Sequence, residues 1–279
     1  MPQTWFITGA SRGLGTEIAK AALKSGHNVV ATARNSARLA QAVGPAGDRL
    51  LTVDLDVTDP KQAVAAVDAA IKRFGGIDVL VNNAGYGHLG FFEEAGEADI
   101  RTQFETNVFG LFHVTQAVLP VMRAAKRGRI FNLSSIGGLR GIEFGSLYCA
   151  TKFAVEGMSE SLAQEVAPFG IFVTIIEPGP FRTDFLTRES VRFGGKTIGD
   201  YDTRRADLRA SFEGRNGNQP GDPARLAEAM VTLAKESKPP LRFVAGAFAV
   251  DMAKTKLAGM NAEFDRWRDL ALGTDYAAA

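Results

Sequence analysis

The chain has 279 residues, 46% hydrophobic and 23% charged, enough for one sizeable core and ordinary for a globular protein. A formal net charge of +1 argues against a polybasic surface for nucleic acid or anionic membrane. The single cysteine, Cys149, excludes an internal disulfide, and three scattered histidines (His27, His88 and His113) make metal-assisted and Ser-His-Asp chemistry poor candidates. The opening "MPQTWFITGA" has no basic segment ahead of its apolar run, and no apolar stretch reaches the length of a membrane span. A cytoplasmic protein without a signal or a membrane span is expected.

In chain order, short β-rich segments alternate with helical patterns. "TWFIT" (4–8) precedes a helix that carries Leu14, Ile18 and Ala22 four apart. "NVVATA" (28–33) and "RLLTVDL" (49–55) follow as strands, then a helix over about 61–74 and the strand "DVLVNN" (78–83). A long helix over about 97–125 presents Phe104, Val108, Leu111 and Val118 on one side. "RIFNLS" (129–134), a helix containing "YCATK" (148–152), and the strands "IFVTIIE" (171–177) and "LRFVAG" (241–246) complete the alternation. Strands separated by helices require right-handed crossovers, so a single α/β domain over 1–279 is expected, a doubly wound Rossmann-type parallel sheet with helices on both faces. The stretch 185–222 breaks the pattern: it is irregular and rich in Gly and Arg, a solvated insertion or a substrate lid. A helical extension is expected over about 247–273. Its stripe of Phe264, Trp267 and Leu270 would cover a pocket, pack on a second subunit or close the core.

Two motifs point to chemistry. "TGASRGLG" (8–15) lies between a strand and a helix. There Gly9, Gly13 and Gly15 permit a tight turn and close backbone approach to a phosphate, which the helix N-terminus faces with unpaired N–H groups. In "YCATK", Tyr148 and Lys152 share one helix face. An ammonium at about 4–5 Å, at an effective dielectric near ~20, would favour the phenolate by about 4 kcal/mol, enough to bring a phenol near physiological pH. Cys149, between them, reads as a small packing residue.

The spacing T-G-x-x-x-G-x-G, with "YCATK" downstream, resembles the short-chain dehydrogenase/reductase family over nearly the whole chain. "LDV" (55–57), "NNAG" (82–85), Asn107, "NLSS" (132–135) and "PGPFRT" (178–183) match further family motifs in order. The resemblance implies a dinucleotide site built by Gly9, Ser11, Arg12, Gly13, Leu14 and Gly15, with Asp56, Val57, Asn83, Ala84 and Gly85 on the adenine side. Pro178, Gly179, Phe181 and Thr183 would lie at the nicotinamide. It also implies that Tyr148 exchanges a proton with the substrate oxygen, and that Ser135 stabilises the charge there. Lys152 would lower the tyrosine's pKa and bind the ribose, and Asn107 would hold a relaying water. No metal is implied.

At the end of the second strand, Ala33 and Arg34 stand where an acidic residue would select NAD. Arg34 and Arg12 suit a 2′-phosphate, so NADP is expected over NAD. "YCATKFAVEGMSESLA" is similar to the branch of 17β-hydroxysteroid and retinol dehydrogenases, which implies an apolar alcohol or ketone. Tyr86, His88, Phe91, Phe144, Phe181 and Phe185 are candidate pocket residues. The expectation is an NADP-dependent carbonyl reductase or alcohol dehydrogenase. A dinucleotide-sensing regulator, or an epimerase or dehydratase with hydride chemistry inside its cycle, is the alternative. The family usually pairs subunits through the two long helices, which implies a homodimer or homotetramer.

Overall fold

The computed structural model describes residues 2–44, 47–187 and 190–276. In chain order the elements are β1 (Thr4–Ile7), α1 (Gly13–Lys24), β2 (Asn28–Ala33), α2 (Leu39–Val43), β3 (Leu50–Asp54), α3 (Pro60–Phe74), β4 (Val79–Asn82) and β5 (Gly87–Leu89). Then come α4 (Glu97–Phe104), α5 (Gly110–Ala125), β6 (Gly128–Leu133), α6 (Ser146–Val166), β7 (Ile171–Pro178) and β8 (Val191–Phe193). The last four are α7 (Asp202–Gly214), α8 (Pro223–Lys235), β9 (Arg242–Ala245) and α9 (Ala247–Leu272).

Seven strands form one parallel sheet in the order β3-β2-β1-β4-β6-β7-β9. Helices cover both faces, so the central strands are apolar throughout: Trp5, Phe6, Ile7, Val79, Leu80 and Val81 are fully buried. On one face α1 and α8 pack Ile18, Ala22, Leu226 and Met230 against the sheet. On the other, α3, α5 and α6 contribute Ala66, Val67, Val114, Val118, Met122 and Leu162. Local chemistry sets the helix ends. Asp59 accepts from the N–H groups of Lys61 and Gln62, Pro60 opens α3, and Gly75 closes it in the left-handed region at φ +80°. Asp222 and Pro223 repeat that start at α8, an element the sequence reading left unmarked.

The chain reverses direction between β1 and β4, and a crevice opens at the carboxyl ends of these strands. The long helix expected over 97–125 is interrupted by a π-helical turn, Glu105–Phe109, which carries Asn107. By length and composition alone, Glu97–Ala125 could cross a membrane, contrary to the sequence expectation. Here Val114, Val118 and Met122 bury it against the sheet.

The segment 185–222 is not irregular, which corrects the sequence reading; its positions 188 and 189 lie outside the described residues. β8 pairs in parallel with β5, and α7 packs above them. Leu89, Phe144 and Val191 form a small separate core there with Phe91, Phe193, Leu208 and Phe212. Arg205 of α7 pairs with the buried carboxylate of Glu94 and fastens this cap to the body.

Candidate active site

The turn after β1 is shaped by what glycine lacks. Gly9 and Gly13 occupy positive φ (+65° and +56°), and a Cβ on Gly15 would collide with the Gly9 carbonyl. Asn83 braces the same turn, donating from Nδ2 to the carbonyls of Thr8 (2.9 Å) and Gly9 (3.0 Å). The N–H groups of Asn83 and Ala84 both donate to Thr8 Oγ1, each at 3.0 Å, which ties the "NNAG" segment to β1. Arg12 is the N-cap of α1 without a capping side-chain bond, and the first turn of α1 holds no acidic residue. That end of the helix presents donors and positive dipole to an anion. Thr183 stands across from it, 3.6 Å from where a Gly13 Cβ would lie. Beside them is a cleft of about 300 Å³ lined by Ser11, Arg12, Gly13, Arg182, Thr183 and Asp184, among others.

The adenine-side residues are shaped locally. Asp56 Oδ1 accepts from Thr58 N (3.0 Å) and Thr58 Oγ1 (2.8 Å), and Val57 is buried against Gly110. Ala33 is buried and Arg34 is exposed at the end of β2. Asp54, opposite Ala33 in register, accepts from the Ser36 N–H at 2.6 Å and holds the loop after Arg34 in place. The sequence reading missed that carboxylate.

The expected catalytic residues come together. Ser135 ends the β6 segment and accepts from Gly137 N–H at 3.1 Å; its hydroxyl is hydrogen-bonded to the Tyr148 phenol. Burial pushes the Tyr148 phenol up to about 12, with the Ser135 hydrogen bond opposing it. Lys152 Nζ donates to the Leu133 carbonyl at 2.7 Å and lies 5.6 Å from the centre of the Tyr148 ring. Burial lowers Lys152 to about 8, opposed by the Glu156 carboxylate one turn along α6.

This differs from the expectation of a phenol brought near physiological pH: burial keeps Tyr148 high. The ammonium is tied to the Leu133 carbonyl, and desolvation of the phenol dominates. At neutral pH the protein holds a protonated Tyr148 beside a cationic Lys152.

Asn107 does not leave its amide open to water. Its Oδ1 accepts from Tyr86 N at 3.1 Å, and its Nδ2 donates to Tyr86 O (2.9 Å) and Thr151 Oγ1 (3.2 Å). The side chain therefore joins the loop after β4 to α6.

Of the aromatic candidates, Phe185 reaches the reactive residues, its ring 5.6 Å from that of Tyr148. Tyr86 is half-buried beneath the Arg192 guanidinium, 5.0 Å away. Phe91 and Phe144 are core residues of the cap. His88 is buried 3.9 Å from the Asp99 carboxylate, with its pKa lowered chiefly by burial. The Phe181 ring packs on the main core against Gly221 and Gly246. His88 and Phe181 are thus packing residues, because the small sheet and the β9–α9 turn enclose them. Pro178 ends β7, and Gly179 lies against Ala249 of α9. Cys149 is buried, and burial pushes its thiol up.

Behind Lys152 lies a cluster the sequence reading also missed. Arg242 of β9 pairs with the carboxylates of Glu156, Glu160 and Glu177. Glu177 is fully buried and Glu156 nearly so. Burial, with the Glu156 charge facing it, pushes Glu177 well above the usual carboxylate range. The i,i+4 spacing of Lys152 and Glu156 was the available signal; the contributions of β7 and β9 were not readable without the strand register.

A family model described as short chain dehydrogenase matches residues 3–192. The chain belongs to the short-chain dehydrogenase family. This dehydrogenase is 40% identical over 276 residues to Oxidoreductase BOA17 of Botryotinia fuckeliana, covering 98% of this chain and 100% of that one. It is 40% identical over 258 residues to 3-ketodihydrosphingosine reductase of Bacteroides thetaiotaomicron, covering 91% and 92%.

Among solved structures it is similar to a short-chain dehydrogenase from Streptomyces avermitilis (TM-score 0.90, 40% identity, 98% of each chain). ElxO with NADP bound (TM-score 0.73, 28% identity) covers 89% of this chain and 100% of its own. A 3-ketoacyl-(acyl-carrier-protein) reductase from Brucella melitensis complexed with NADH (TM-score 0.73, 30% identity) covers 87% and 95%. The protein is an NAD(P)-dependent dehydrogenase or reductase with a seven-stranded Rossmann-type sheet.

Proposed function

We propose that this dehydrogenase is an NADP-dependent reductase of an apolar ketone or aldehyde, running as the corresponding alcohol dehydrogenase in reverse. The observation that carries the reading is the cluster of Ser135, protonated Tyr148 and cationic Lys152 on the side of the sheet that bears the glycine turn. A sensor needs only the dinucleotide site, and no observation favours that alternative.

The residues present fit a nicotinamide dinucleotide. Gly9, Gly13 and Gly15 leave room where side chains would fill the cradle, and the first turn of α1, which would face the phosphates, carries no acidic residue. When bound, the cofactor supplies or accepts the hydride. Tyr148 donates its phenolic proton to the substrate oxygen in reduction and takes it back in oxidation. Ser135 Oγ–H donates to the same oxygen and stabilises its developing negative charge. Lys152 supplies the positive charge that makes the loss of the phenolic proton less costly, and it would hold a ribose hydroxyl of the cofactor. Thr183 and the Gly179 backbone orient the nicotinamide, and Asn83 holds the glycine turn in shape.

Support for NADP comes from buried Ala33, where a ribose-binding acid would stand, and from Arg34 and Arg12 at the same edge. ElxO binds NADP, whereas the Brucella reductase was solved with NADH. Support for an apolar substrate comes from the Phe185 ring beside Tyr148. The reduction of a ketone named for the Bacteroides 3-ketodihydrosphingosine reductase fits the same reading, as does the hydroxysteroid and retinol branch. On this reading 185–222 is a lid, and α5 and α6 are a pairing face for a homodimer or homotetramer. Exposed Phe109 and Phe153 at these helices are consistent with that. The single unpaired cysteine suits a cytoplasmic location.

The test is a panel of apolar ketones, aldehydes and secondary alcohols followed by NADPH absorbance. Turnover confined to small polar carbonyls would remove the apolar-substrate reading, and faster turnover with NADH would remove the NADP reading.

A further inference from the structure

The C-terminal helix α9 leaves the body of the protein. Ala249 and Ala253 seat its first two turns against Ile136, whereas every residue from Asn261 to Tyr276 is exposed. The projecting part, 257–272, is about 24 Å long at 1.5 Å per residue. Most helical stability in proteins comes from packing of an apolar face rather than from propensity, and this exposed stretch has no such packing within the chain's described residues.

That face is readable. Leu257, Met260, Phe264, Trp267 and Ala271 follow one another at alternate spacings of three and four, a seven-residue repeat along one edge. Leu257 is 61% exposed, Phe264 63% and Trp267 55%, and exposed Leu270 widens the stripe toward the tip. Large aromatic side chains offer about 150–250 Å² each, so the stripe presents on the order of 500 Å² of apolar surface, more than scattered exposure supplies. With its flanks, that approaches the roughly 800 Å² per partner of a stable interface.

We propose that a second copy of the chain covers this stripe, α9 pairing in parallel with its counterpart as a short two-stranded coiled coil. Charge argues for that occupant. Glu263 and Arg268 flank the stripe on opposite sides, five residues apart, and in a parallel pair the Glu263 of each chain faces the Arg268 of the other. Four acids (Asp251, Glu263, Asp265, Asp269) balance four bases (Lys254, Lys256, Arg266, Arg268), so the helix has no net charge to draw it to an anionic lipid surface. This contact is separate from the α5 and α6 face.

Sedimentation and light scattering of the full chain test the proposal, with tryptophan emission as an independent readout. Trp5 is fully buried, so emission changes at an α9 interface report Trp267. The wild type should be an oligomer, and Phe264→Asp, at an exposed site that leaves the fold alone, should halve its mass and shift Trp267 emission to the red. Glu263→Arg should weaken association at least tenfold, and adding Arg268→Glu should restore it. A single-chain wild type, equal mass for wild type and Phe264→Asp, or unchanged emission would overturn the proposal. So would co-sedimentation of a single-chain wild type with phosphatidylcholine–phosphatidylserine vesicles. An unaffected Glu263→Arg variant would overturn the parallel pairing.

Discussion

Replacing Arg242 with Met removes the one cation that Glu156, Glu160 and Glu177 share, at nearly constant volume. Glu160 is half-exposed and can return to water, whereas Glu156 and Glu177 cannot. Glu177 already titrates high in the native protein, so the new cost falls on Glu156, which keeps only the weaker attraction of Lys152 one turn away and takes a proton to stay buried. Forcing a carboxyl of reference pKa near ~4.3 to be neutral costs about 4 kcal/mol at pH 7 and about 2 kcal/mol at pH 5.5. The upper figure lies within the ~3–5 kcal/mol range for breaking a buried ion pair. The sign follows from proton binding: the variant's folded state holds a proton that the unfolded state lacks, so stability falls as pH rises above the normal carboxylate range. Urea unfolding at the two pH values, with unchanged m, reads the effect directly. A loss below ~1 kcal/mol, or an equal loss at both pH values, would refute the buried-carboxyl reasoning.

Three further outcomes follow from the site. Gly15→Ala forces a Cβ into the Gly9 carbonyl, so the glycine turn must open; NADPH affinity should fall by at least an order of magnitude in equilibrium titration. Burial places Lys152 near 8 rather than its ordinary value, so its ammonium is present below that pH and lost above it. In the wild type, kcat/KM for reduction should fall above about pH 8, and Lys152→Ala should lose both that limb and cofactor affinity. For cofactor choice, Ala33→Asp should shift the ratio of kcat/KM toward NADH by roughly two powers of ten, while Arg34→Ala should weaken NADPH without helping NADH much. Equal use of both cofactors by the wild type would remove the role given to Arg12 and Arg34.

The sheet was legible because its strands are short apolar runs between helices of period 3.6, and the glycine turn because its spacing leaves few other conformations. Ser135, Tyr148 and Lys152 were legible through their order along the chain. Polarity was not: the sequence suggested that Lys152 would depress Tyr148, and only burial and the Leu133 carbonyl show why the phenol instead stays protonated. The cap was missed because β8 is three residues long and gains its meaning from β5, roughly a hundred residues earlier. His88 looked like a pocket residue from its neighbours in the chain, yet its side chain is buried beneath the small sheet that only the tertiary fold defines.

The most direct test of the central claim is Tyr148→Phe, which removes the phenolic proton and keeps the ring against Phe185. Measured by NADPH oxidation with a carbonyl substrate that the wild type reduces, turnover should fall by at least ~10²-fold, the low end for general acid catalysis. NADPH affinity should stay within about twofold, because the glycine turn and Lys152 are untouched. A variant that kept most of its turnover would contradict the assignment of Tyr148 as the proton donor, and with it the mechanism built on Ser135 and Lys152.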